Sequence, residues 1–189
     1  KRIELFGEDA KEIWVDEVLA TDSRKAKMLD TIEFIKESQD TTMEEKLQLY
    51  KDSLEETYKG SPEAYFLDQK PILAKIFFSI DSVQNELKQM SPDQRQMAIN
   101  KIRRDMGFTE KMVQDMEEID ADNNHRWDVG LKYMEERKKV VSEFQGEQQK
   151  EKIKALREKY FGDEAITIEY EEEKDGFFRF ERPRYYGRN

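Results

Sequence analysis

Thr109 to Phe144 reads TEKMVQDMEEIDADNNHRWDVGLKYMEERKKVVSEF, and no proline interrupts it. Met112, Met116, Ile119, Trp127, Met134, Val141 and Phe144 fall near a repeat of three to four residues, with charge filling most of the intervals. One face of a helix reads in this way. At ~1.5 Å of rise per residue such a helix runs roughly 50 Å, longer than a compact domain of this size is wide. A rod that outruns its own core leaves flanks that its own chain does not cover. The stretch therefore predicts an extended helical surface that holds something else.

Composition supports helices around it. The 189 residues are 40% charged and 37% hydrophobic, with 11 Phe, 8 Tyr and 2 Trp. So many large apolar groups indicate a folded chain with a heavily solvated surface rather than a disordered one. Eight glycines and four prolines leave little turn chemistry, and abundant Glu, Lys, Gln and Met favour helix over sheet. A net charge of -10 disfavours nonspecific binding to nucleic acid or anionic membrane, which needs clustered cations. The longest apolar clump, Ile76-Phe77-Phe78, is far short of the ~18 residues of a membrane span. With no cysteine, disulfides, thiolate metal sites and cysteine nucleophiles are excluded. The first residues are Lys1-Arg2-Ile3 without a methionine, from which we expect a preceding segment.

Start and stop signals divide the rest. Glu8 and Asp9 favour a helix start, followed by an apolar stripe of Ile13, Val15, Val18 and Leu19 and a second of Met28, Leu29, Ile32 and Ile35. Thr21-Asp22-Ser23 between them reads as a break or a recap. Asp40-Thr41-Thr42 with Glu44 and Glu45 is a capping box, and its helix carries Leu47, Tyr50 and Leu54 and stops near Gly60. Ser61-Pro62-Glu63 reads as another start. Ile72, Leu73, Ile76, Phe77, Ile80, Val83 and Leu87 form one amphipathic helix, and Ser91-Pro92-Asp93 opens the next, which ends at Gly107. After the central rod, Gln145-Gly146 marks a turn, and Ile153, Leu156 and Tyr160 define a further helix. Beyond it, Ala165 to Tyr170 and Phe177 to Phe180 around Lys174-Asp175-Gly176 fit a short hairpin, while the repeat below argues for helix to about Glu173. We expect an all-α fold, with residues 1–107 as a first helical region and 108–189 as the long helix, a helical mini-domain and a tail.

Phe6 to Glu17 aligns without gaps on Phe161 to Glu172: Phe, Gly, two acids, Ala, Ile and two closing acids coincide. Gly107-Phe108-Thr109-Glu110 is a weaker third copy. Physically, the glycine ends one helix in a left-handed conformation, the acids begin the next, and the aromatic tucks into the corner. Convergent capping rules are the alternative origin of three similar corners.

Phe-Gly-acid-x-Ala corners of this kind, each followed by a helix and a cap-and-Glu start, resemble the lipase-specific foldases, the steric chaperones of secreted bacterial lipases. The resemblance rests on Leu5 to Asp16 with Asp40 to Lys46, on Met90 to Arg95 leading to Phe108, on Trp127 to Arg137 with Tyr133 and Glu136-Arg137, and on Glu151 to Ala165. It covers most of the chain and is diffuse, made of spacing and corner residues. It implies an extended, curved array of long amphipathic helices, a secreted lipase as protein client, and a bacterial periplasmic location with an inner-membrane anchor upstream. The family's Arg-x-x-Phe-Asp-Tyr motif does not occur in these residues, so either a leading domain precedes Lys1 or the chain is a divergent relative with another client.

No catalytic chemistry is legible. Asp120-Ala121-Asp122-Asn123-Asn124 opens like a calcium loop, but His125 stands where glycine is needed and Leu131 where a bidentate glutamate is needed. His125 is the sole histidine, which excludes paired-histidine metal sites. Phosphate loops, Gly-x-Gly-x-x-Gly and Gly-x-Ser-x-Gly are absent. With 43 acidic residues, pairs such as Glu117-Glu118 read as solvated faces. We therefore expect no enzyme, cofactor or metal. The candidate partner-binding residues are Trp127, Tyr133 and Arg137 on the rod, and Phe177, Phe178, Arg179, Phe180 and Tyr185 in a tail with the composition of interface hot spots. Packing inside the chain is the competing use of Trp14, Trp127, Tyr133 and the tail. A helical scaffold without a lipase client, self-associating, is the alternative function.

Overall fold

Helix-start chemistry written into the chain sets several element boundaries. A computed structural model describes residues 2–9 and 14–188, and among these there is no strand. The helices are α1 (Arg2–Phe6), α2 (Val15–Glu37), α3 (Met43–Tyr58), α4 (Lys70–Phe77), α5 (Asp81–Gln89), α6 (Pro92–Asp105), α7 (Glu110–Glu143), α8 (Gly146–Phe161) and α9 (Ala165–Lys174). Thr42 caps α3, its side chain accepting from the Glu45 N–H while Glu45 accepts from the Thr42 N–H at 2.8 Å. Ser91 and Gln94 repeat that reciprocal box at α6, with Pro92 in the first turn. Each box satisfies two of the amide donors that a helix start leaves orphaned.

The Phe-Gly corners share one local geometry. Gly7 (φ 59°) follows α1 and Gly162 (φ 52°) follows α8, each opening a 3₁₀ turn, Gly7–Asp9 and Gly162–Glu164. Phe6 stands edge-on to Trp14 at 5.1 Å. Ala10 and Ile13 of the first copy, and the basic Lys1 before it, lie outside the described residues.

Four expectations are corrected. Thr21-Asp22-Ser23 does not break α2, because Thr21 Oγ1 donates to Glu63 Oε1 at 2.8 Å instead of competing for nearby backbone. Ser61-Pro62-Glu63 leads to a 3₁₀ turn, Ala64–Asp68, rather than an α-helix. The single helix expected from Ile72 to Leu87 is two, broken at Phe78-Ser79-Ile80. Phe77 and Phe78 are both wholly buried, with Ile80 and Val83 close behind. Consecutive residues cannot all face inward from one straight helix, and the bend resolves this. The tail hairpin does not form: Phe177 N–H returns to the Glu171 carbonyl at 2.8 Å around Gly176 (φ 61°), which caps α9.

The chain divides into two units, one of residues up to Val113 with Tyr186–Arg188, the other Gln114–Tyr185. In the first, α2 lies along α3 and α5, burying Met28 and Ile35. Ser82 Oγ donates to the Ile35 carbonyl at 2.7 Å, and Tyr50 Oη to that of Leu73 at 3.1 Å. Arg24 and Thr21 clasp Glu63, with an Arg24–Glu63 ion pair at 2.9 Å. Residues 186–188 are tied in by Gln84, 1% exposed, whose amide donates to the Tyr186 carbonyl and accepts from its N–H, both at 2.9 Å. In the second unit Tyr133, Met134, Ile168 and Phe180 form the core, with Trp127, Leu156, Tyr160, Phe161 and Phe178 around it.

Glycine 130 and Glu63 give two tests. A Cβ at position 130 would fall 2.2 Å from Phe180 Cδ1, so Gly130→Ala, which normally stabilises a helix by ~1 kcal/mol, should here destabilise by about 1–3 kcal/mol. Urea unfolding checks this, and Phe180→Ala in the same chain should remove the sign reversal. Hydrogen bonds, first from Arg24 and then from Thr21, hold the Glu63 carboxyl at about 2, below its ordinary 4.5. A carboxyl depressed on folding contributes stability above its unfolded value and loses it as pH falls toward the folded one. The difference in urea midpoint between wild type and Glu63→Gln should be full near neutral pH, shrink from pH 4.5 to about 2 and vanish below. A difference unchanged across that window would contradict the clasp.

Candidate protein-binding surfaces

Tyr133 and Arg137 meet in a charged lock inside the second unit. The Glu172 carboxylate, 3% exposed in its side chain, accepts from the Tyr133 hydroxyl at 2.9 Å, from Arg157 Nη2 at 2.8 Å and Nε at 3.1 Å, and from Arg137 Nε at 3.3 Å. Arg157 also pairs with Glu173 at 2.9 Å. Burial, then the Glu172 charge, pushes the Tyr133 hydroxyl up to about 12, so it stays a neutral donor at any ordinary pH. Both arginines donate to Oε2, and the Tyr133 hydroxyl lies 2.9 Å from each carboxylate oxygen. The group fastens α7, α8 and α9 together, and removing Arg157 would take from the buried Glu172 carboxylate its closest ion pair.

The other nominated residues are placed as follows. Phe180 is 7% exposed in the core, stacked on Phe161 at 5.6 Å. Trp127 stands edge-on to Phe180 at 5.6 Å and lies under the Arg184 guanidinium at 5.7 Å. Arg184 also donates to Asn124. Arg137 covers the Phe178 ring at 4.7 Å, Arg182 covers Phe177 at 4.4 Å, and Arg179 pairs with Glu171. Tyr133 and Phe180 are therefore core residues, turned away from any partner. Tyr185 is 44% exposed. Hot-spot composition in this tail mostly serves intramolecular packing, since the arginine and aromatic pairs that hold interfaces also hold a terminal segment on its own helices.

A surface that sequence periodicity does not single out lies on α2. At about 100° per residue, Met28 and Ile35, with half-buried Arg24 and Thr31, form the face turned to α3 and α5. Val15, Val18, Leu19 and Leu29 lie roughly 150° away around the helix, and are 48%, 53%, 60% and 55% exposed. Lys25 and Lys36 flank this outer stripe on one side, and Asp16, Asp30 and Glu37 on the other, while Asp22 and Glu33 fall within it, all exposed. The two stripes of the sequence are thus partly two faces of one helix. Other helices keep apolar groups in water as well: Ile166 and Tyr170, one turn apart on α9, and Met112, Ile119 and Val141 on α7.

Among the described residues, no group of three or more His, Asp or Glu is placed to hold a metal, and no helix is long and apolar enough to cross a membrane. Asp120 to Asn124 are helical and His125 is exposed. No family model, no curated protein and no solved structure matches the chain.

Proposed function

We propose that this chain is a non-enzymatic helical binding protein that holds another protein on the outer faces of its helices, and that it works as a steric chaperone for an exported client. The outer stripe of α2 carries this reading. Four large apolar side chains gather on the outer side of α2, and exposed apolar groups on one face are what a partner surface requires. The finer identification, a secreted lipase folded in the bacterial periplasm by a chain anchored upstream, rests on the Phe-Gly corners and the family they resemble. In that role a curved helical surface binds the client's near-native state, lowering the barrier to it through contacts that the unfolded client lacks.

Magnitudes say how broad the grip must be. Covering four half-exposed aliphatic side chains yields roughly 3–6 kcal/mol, against an association cost of about 4–15 kcal/mol. The α2 stripe alone is insufficient. Contacts on further helices have to add, which suits an interface above about 2,000 Å². Self-association through α2 is the second reading, favoured by the flanks of opposite charge, which meet their opposites when two such helices pair in parallel.

Refolding a denatured secreted lipase with and without this chain tests the first reading: active enzyme should increase, with a complex on gel filtration. Val18→Asp with Leu29→Asp should weaken that complex about tenfold or more while changing the unfolding free energy in urea by no more than about 0.5 kcal/mol. No gain and no complex would overturn it. A dimer by analytical ultracentrifugation that these substitutions dissolve would move the assignment to self-association.

A further inference from the structure

Between α3, α4 and the end of α6 in the first unit lies a cleft of about 220 Å³. Its lining includes Leu54, Leu67, Leu73 and Met106, with Lys51 and Lys70. Leu54 and Leu73 are buried at 6% and 9% exposure, so the floor is dry and aliphatic. Both ammonium groups converge on one corner: Lys51 Nζ donates to the Asp105 carbonyl at 2.8 Å and Lys70 Nζ to that of Gly107 at 2.7 Å. These are carbonyls left over where α6 ends in a left-handed glycine (φ 83°). Capping them uses one of the three donors on each ammonium. Neither lysine forms an ion pair among the described residues, although the chain has 43 acidic residues against 33 basic ones. Glu55, also at the cleft, is drawn to Lys59 one turn on, at 3.7 Å.

We propose that this cleft binds a carboxylate carried on a short aliphatic tail, a ligand of the medium-chain fatty acid type. The tail lies on the leucine and methionine floor, and the carboxylate accepts from the unused N–H donors of Lys51 and Lys70. Charge-assisted hydrogen bonds at the rim of a dry pocket are the strong kind. A cleft of this volume suits a short tail, on the order of six to eight carbons at ~30 Å³ per water-sized group.

Titration calorimetry with octanoate, octanol and octyltrimethylammonium, all below micelle formation, separates the contributions. Octanoate should bind saturably with one site, octanol about tenfold or more weaker, and the cation not at all. Lys51→Met with Lys70→Met should weaken octanoate about tenfold or more, and Met106→Trp, which fills the cleft and leaves both lysines, should abolish binding. Circular dichroism checks that both variants stay helical. If a variant does not fold, the head-group series on the wild-type chain still decides. Absence of saturable octanoate binding, equal affinity for octanol, or undiminished binding in the folded lysine variant would overturn the proposal.

Discussion

A helix can be gripped from one side and left bare on the other, and α2 is held in this way from Arg24 onward, while residues 15–23 before it are exposed at every position. Met28 and Ile35 seat it on α3 and α5, the Glu63 clasp and the Ser82 hydrogen bond fix its rotation, and Val15, Val18, Leu19 and Leu29 are carried out into solvent. Rotational fixing matters more than exposure. A loosely held amphipathic helix would roll to bury whichever apolar face offers more, whereas a clasped one must present its second face. Exposed leucine and valine are unremarkable one at a time; four on one face of a fixed helix form a surface.

Elsewhere the chain spends its distinctive residues on holding itself together. Gln84 reads the backbone of Tyr186 with both ends of its amide, and the Phe180 ring lies against Gly130, where no larger residue would leave room. Arg157 and Arg137 converge on Glu172 with the Tyr133 hydroxyl. A heavily charged chain has few apolar groups to spare, so polar side chains with fully matched partners take over part of the work of a core. That is why a tail rich in arginine and aromatics is mostly fastened down.

Local signals were legible from sequence because they depend only on near neighbours. Thr42 with Glu45, Ser91 with Gln94, Pro92, and the glycines at 7, 107 and 162 mark helix ends by the same steric and hydrogen-bonding rules in any context. The central rod was legible to within a residue at each end. What escaped depends on partners far along the chain. Thr21 reads as a breaker until Glu63 takes its hydroxyl. Ile72 to Leu87 reads as one helix until the burial of both Phe77 and Phe78 forces a bend. Periodicity shows that α2 has apolar residues, but which of them face inward is decided by α3 and α5. Tyr133 and Phe180 resemble interface residues for the same reason: composition does not distinguish a partner's surface from one's own.

The chain has no cysteine, which makes the central claim directly measurable. Single cysteines at positions 28 and 29 sit side by side in sequence but about 100° apart around α2, one on the packed face and one on the outer stripe. In the free protein the thiol at 29 should react with a maleimide near the rate of an open thiol and the thiol at 28 far more slowly, and adding the client should protect position 29. A thiol at 29 already shielded in the free monomer, or one still open in a complex with the client, would contradict an outer face kept for a partner.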